Sequence, residues 1–230
     1  MVNSSLLKMD FLGLRNMGII NNCCKTVGVK EETIDLYDPY VYEHISTGNT
    51  DGIFQIESPG MKSLMKDMFW DVTPRIKKYK ATNDNDAMLA LGHECFERLI
   101  AAISLYRPGP MDYIPDYVAG MRNPDKVHYD CPELKPILAK TYGVLVYQEQ
   151  VQQICRSLAG YSYGRADVIR RAMGKKKQKV MDAEREVFIY GNAKTKKANE
   201  ALVPGCVANG IPENIATVIW NKMAKFAEYA

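Results

Sequence analysis

Between Ser5 and Leu12 apolar and polar positions alternate. Leu6, Lys8, Asp10 and Leu12 fall on one face and Leu7, Met9 and Phe11 on the other, which is the two-residue period of a short strand. Gly13 interrupts it. From Arg15 to Val27 the apolar residues Met17, Ile20, Cys24 and Val27 return at helical spacing, and Gly28 is the expected stop. Residues 31–40 read as loop. Val41 to Ser46 is a short helix ended by the turn formers "TGNTDG" at 47–52. "IFQIES" at 53–58 reads as a strand or extended piece, and Gly60 to Phe69 resumes helical spacing. Residues 71–94, with Lys77, Lys78, Lys80 and "TNDND", read as a polar surface excursion. "CFERLIAAISLY" at 95–106 is apolar all round and predicts a buried helix.

"RPGP", Arg107 to Pro110, must end that helix, because proline removes a backbone donor and clashes with the preceding turn. The proline-punctuated region up to about residue 142 reads as loop with short helices. "GVLVY" at 143–147 is strand-like and hands over to a helix ending near Gly160. Further helices are predicted over about Gly164 to Met173, over 178–190 and over 213–229. The expected fold class is therefore mainly α with a few short strands, and there is no internal repeat.

A chain of 230 residues can bury a substantial core. Its 47% hydrophobic and 25% charged residues fit an ordinary globular protein. The net charge of +3 does not announce a polyanionic partner, so any such case rests on local clustering. The six cysteines form no CxxC pair and read as free thiols of a reducing compartment. No apolar run nears the roughly 20 residues that span a bilayer, and no signal-peptide pattern opens the chain. These readings give an expected cytoplasmic location without membrane contact. His44, His93 and His128 fall in different elements, and Ser58 lacks the GxSxG context of a hydrolase nucleophile.

The strongest chemical signal is "RADVIRRAMGKKKQK", Arg165 to Lys179, with seven basic residues in fifteen against one acid, Asp167. Arg170 and Arg171 precede the expected helix end and Lys175, Lys176 and Lys177 follow it. Guanidinium forks match phosphate oxygens, and lysines add mobile positive charge. From the residues alone this run fits either a phosphate-binding element or a solvated charged face. Tyr142, Tyr147, Tyr161 and Tyr163 flank the preceding helix and suit base stacking or core packing.

Six motifs in order, "LLKMDFLGL", "GIFQIESPGMK", "LYRPGP", "YGVLVYQEQV", "RADVIRRAMGKKK" and "KFAEYA", resemble the bacterial replicative DNA polymerases of family C, the alpha subunits of DNA polymerase III. The resemblance covers nearly the whole chain. It implies a helical fingers domain over 17–230, truncated at its C-terminal end, preceded by a palm-derived strand over 1–16. It implies template-directed nucleotidyl transfer to a primer 3′ end. Asp10 would be the third of three aspartates that hold two Mg²⁺ ions in the complete active site. Lys8 would contact the incoming nucleotide, and Arg170 and Arg171, with Lys175 to Lys177, would bind its triphosphate. The implied partners are primer–template DNA, deoxynucleoside triphosphates and other replisome subunits. The family's paired aspartates stand well upstream, and no such pair precedes Asp10. The chain therefore reads as a piece of a longer polypeptide, expected to be inactive alone. Residues 71–94 and about 193–205 read as insertions. The alternative is a non-catalytic nucleic-acid-binding helical module, which gives no reason for Lys8 and Asp10 on one strand face.

Overall fold

A computed structural model describes residues 11, 13, 15–174, 178–193 and 201–229. The expected strand at 5–12, with Lys8 and Asp10, lies outside these residues except for Phe11. The helices are α1 (Arg15–Val27), α2 (Pro39–Ser46), α3 (Pro59–Met68), α4 (Val72–Ala81), α5 (Asn85–Leu105), α6 (Ile114–Arg122), α7 (Lys135–Leu138), α8 (Gln148–Ala159), α9 (Tyr163–Gly174), α10 (Gln178–Tyr190) and α11 (Glu213–Tyr229), joined by short 3₁₀ turns. Starts are set by local caps. The Asp38 carboxylate accepts from Tyr40 N at 2.9 Å, and Pro39 supplies a preset φ at the first helical position. Ser58, far from any nucleophilic role, caps α3 by accepting from Met61 N.

Two apolar cores form. The first joins α2 to α6 around Met65, Phe69, Val72, Leu91, Ala102, Leu105 and Tyr117. The second joins α7 to α11 around Val151, Ile154, Leu158, Ile169, Phe188, Ile189, Trp220 and Met223. Among the described residues α1 buries only Cys24 and leaves Met17, Ile19 and Val27 exposed. No helix is long and apolar enough to cross a membrane among these residues. The six thiols are free, and five of them are buried.

Three expectations are corrected. The chain is mainly α, but no strand is formed among the described residues. "IFQIES" is a chain of turns: Ile53 N donates to Thr50 O, Ile56 N donates to Ile53 O, and Gln55 has a φ of 70°. Only Ile56 is buried there, while Phe54 is exposed. "GVLVY" does alternate, with Val144 and Val146 inward, but it has no strand partner. Side chains satisfy its backbone instead. Gln150 Oε1 accepts from Val146 N at 2.9 Å and from Tyr147 N at 3.0 Å, and Thr141 Oγ1 donates to Val144 O at 2.7 Å. A buried donor or acceptor must be paired somewhere, and here two polar side chains replace a sheet.

The third correction concerns 71–94, which is not an irregular excursion. It forms α4, a turn and the first half of α5. Its charges fasten the first core. Arg98, with its side chain 4% exposed, donates to Asp71 Oδ1 at 2.6 Å, to Met68 O at 3.0 Å and to Glu94. Arg75 donates to Asp71 at 3.1 Å and to Glu94 at 2.8 Å. Burial alone would raise the Asp71 and Glu94 carboxyls, but hydrogen bonds and charge from the two arginines outweigh it and hold both below the ordinary carboxylate range.

Candidate functional site

Helix α8 ends at Gly160, whose φ of +75° suits glycine. A Cβ there would also lie 2.6 Å from Pro204. The segment after α10 ties this corner down, with Gly205 N donating to Ala159 O and Asn209 Nδ2 to Leu158 O. The chain then reverses into α9, which packs on α8, α10 and α11. Ala166, Ile169 and Ala172 face the core at 1%, 0% and 3% exposure. That spacing turns Asp167, Arg170 and Arg171 outward together.

Arg170 and Arg171 leave the helix about 100° apart, and Asp167 gathers them. Arg170 holds Asp167 Oδ1 through Nε at 2.9 Å and through its terminal nitrogen at 2.8 Å. Arg171 holds the other oxygen, Oδ2, at 2.6 Å. The hydrogen bond from Arg170, opposed by desolvation and joined by the charge of both arginines, keeps the Asp167 carboxyl below its usual range. Gln148 Oε1 accepts from Arg170 at 3.4 Å, and Gln152 Nε2 donates to Asp167 at 3.4 Å. Arg170 is 34% exposed and Arg171 68% exposed. The result is a braced pair of guanidinium groups on an open helix face.

The other basic residues divide. Arg165 turns inward and pairs with Glu184 at 2.8 Å, and Tyr161 donates to the same carboxylate at 2.8 Å. Tyr161 is buried, so it belongs to the core. Tyr142 is half-buried with its ring edge-on to Tyr117. Tyr163 presents its ring outward, 72% exposed, with the Arg156 guanidinium 3.3 Å from its centre. Lys175, Lys176 and Lys177 lie outside the described residues, as do Lys8 and Asp10. The structure thus brings Arg170 and Arg171 together and describes none of the other predicted site residues. Sequence reasoning had not assigned roles to Asp167, Gln148 and Gln152. The i to i+3 and i to i+4 spacing of Asp167 to the two arginines was the readable signal for the first.

Among the described residues no group of three or more His, Cys, Asp or Glu side chains could hold a metal ion. A cavity of about 420 Å³ lies between α6, the segment 126–130 and α11, and neither Arg170 nor Arg171 is in its lining.

The described residues define a helical domain that presents a braced arginine pair on an exposed helix face. The family model for the bacterial DNA polymerase III alpha subunit finger domain matches residues 16–71 and 84–196, and the chain belongs to that family. DNA polymerase III subunit alpha of Staphylococcus aureus strain MRSA252 is 41% identical over 97% of this chain and 18% of its own length. The same subunit is 40% identical over those shares in S. aureus strain COL and in Staphylococcus epidermidis strain ATCC 12228. The chain therefore spans 18% of the length of these relatives. The family match pauses over 72–83, which is α4 with the turn after it, and stops at 196.

Proposed function

We propose that this chain is the nucleotide-binding fingers portion of a bacterial replicative DNA polymerase, preceded by a palm-derived remnant over 1–16. The complete polypeptide adds deoxynucleotides to a primer 3′ end under the direction of a template strand. The observation that carries this reading is the braced pair Arg170–Asp167–Arg171 on the exposed face of α9, in a chain of the polymerase's finger-domain family. A triphosphate offers closely spaced anionic oxygens. Two guanidinium forks held at one carboxylate match them at a smaller cost in side-chain ordering than two free arginines would incur. Arg171, the more exposed, reaches the phosphates directly. Arg170, held by Gln148 and Asp167, sets the direction of approach. Lys175, Lys176 and Lys177 add positive charge at the exit of the helix. Lys8 contacts the nucleotide from the palm side, and Asp10 on the same strand face supplies one metal-binding carboxylate.

The described residues do not fit a pair of divalent ions, and one further carboxylate at Asp10 falls short of the oxygen shell that Mg²⁺ requires. When bound, two such ions would stabilise the attacking and leaving oxygens of the transfer. Their remaining ligands come from elsewhere in the complete polypeptide, and no chemical step is assigned to this chain alone. Its partners are primer–template DNA, deoxynucleoside triphosphates and the other replisome subunits, in the cytoplasm.

The test is photolabelling. A deoxynucleoside triphosphate with a photoreactive group on its γ-phosphate is bound to the complete subunit with primer–template and then illuminated. Label is expected within residues 163–179 and is expected to fall when unmodified nucleotide competes. Label confined to other regions would refute the assignment.

A further inference from the structure

We infer that α4 is an additional nucleic-acid contact, its exposed lysines Lys77, Lys78 and Lys80 binding the phosphate backbone of the DNA substrate. This rests on the polymerase reading above and places a contact on a helix within the stretch that the family match skips, residues 72–83. Four of the ten residues of α4 are basic and none is acidic. One of the four, Arg75, is spent on Asp71 and Glu94. Val72 and Ile76 anchor the helix in the first core at 0% and 3% exposure, so it is fixed in place. The other three are exposed, and none of them forms an ion pair among the described residues.

The two acids that flank α4 are already engaged: Asp71 holds Arg75 and Arg98, and Asp84 accepts from Ala87 N at 2.9 Å as the cap of α5. Asp86 forms no ion pair with these lysines among the described residues. Lys80 Nζ stands 5.7 Å from the centre of the Tyr40 ring, itself 44% exposed. Three exposed lysines fanned over the end of an anchored helix, with no ion-pair partner among the described residues, beside an exposed aromatic ring fit a polyanion whose bases can stack. Lysines in a last helical turn also favour the helix dipole. That accounts for Lys78 and Lys80 without a ligand, so the experiment must separate binding from helix stability.

The 230-residue chain is titrated, by fluorescence anisotropy, against a labelled duplex and a labelled single strand over a range of salt concentrations. The compared proteins are wild type, Lys77→Gln/Lys78→Gln/Lys80→Gln and the matching triple Arg variant. The Gln variant is expected to bind on the order of tenfold more weakly at low salt. Its log-affinity slope against log salt is expected to be shallower by about one unit per lysine. The melting temperature is expected to stay unchanged, and the Arg variant to bind as wild type. Loss on the single strand only assigns the contact to the template overhang, and loss on the duplex assigns it to the product helix. Equal affinity and slope for wild type and the Gln variant on both DNAs would overturn the inference, as would a lower melting temperature with unchanged binding. Photolabelling of α9 is independent of this outcome, so the polymerase reading can stand when the α4 contact falls.

Discussion

Asp10→Ala in a complete alpha subunit carrying this sequence is expected to lower single-turnover primer extension by roughly a hundredfold or more, about 2.7 kcal/mol of barrier, while primer–template affinity changes little. Hard divalent ions are held by carboxylate oxygens, and alanine leaves a gap that water fills without fixing the position of the ion. DNA affinity comes mainly from phosphate contacts spread over a large surface, and Asp10 contributes none of these. The two-residue alternation of 5–12 predicts Lys8 and Asp10 on one strand face, which is the basis for assigning the carboxylate and the ammonium to one site. The 230-residue chain without the rest of the polypeptide is expected to extend no primer, because one carboxylate cannot organise the two ions. Extension within tenfold of wild type by the Ala variant would make Asp10 a structural residue.

Arg98→Met is expected to destabilise the chain by about 3–5 kcal/mol, the usual cost of breaking a buried ion pair from one side. The side chain is 4% exposed and its partner Asp71 is 16% exposed. Methionine fills much of the volume but leaves Asp71 and Glu94 with Arg75 alone. A domain of this kind holds only about 5–15 kcal/mol in total, so the urea midpoint should fall far. Adding Asp71→Asn and Glu94→Gln should recover part of the loss, since the uncompensated charges are then gone.

The effect depends on pH with a definite sign. Both carboxyls titrate below their unfolded values in the native chain. Their stabilisation is therefore full above the ordinary carboxylate range, about pH 4, and is lost as pH falls through the depressed values. Wild type and Arg98→Met should converge in stability as the solution is acidified through that window. A midpoint unchanged at pH 7 would show that the network contributes nothing.

Much of the helix pattern was legible in the sequence. Arg15–Val27, 178–190 and 213–229 follow apolar periodicity directly, and they are the observed α1, α10 and α11. Residues 71–94 were not legible because their charges looked like solvent-facing residues. Arg75 pairs with Glu94 and Arg98 with Asp71, linking α5 to α4 and to the residue that precedes it, and pairings 19 and 27 positions apart leave no local periodicity. "GVLVY" failed for a related reason: its alternation is real, but Gln150 and Thr141 take the hydrogen bonds that a neighbouring strand would have made. At the candidate site the basic run was visible, and what it lacked was direction. Arg165 lies in the same run as Arg170 and Arg171, yet it turns to Glu184 while they turn to solvent. Only the rotation of α9 on its buried Ala166, Ile169 and Ala172 separates them.

The most direct measurement of the central claim is single-turnover extension by Arg170→Lys and Arg171→Lys subunits as a function of nucleotide concentration, paired with their DNA affinity as a function of salt. Lysine keeps the charge and loses the fork. The loss of one or more charge-assisted hydrogen bonds, about 1.5–3 kcal/mol, corresponds to roughly 10- to 150-fold in kcat/KM. The account predicts that loss in the nucleotide dependence, with primer–template affinity and its salt slope nearly unshifted. Unchanged nucleotide kinetics together with weakened DNA binding would contradict it, and would make α9 a DNA-backbone contact of a binding module.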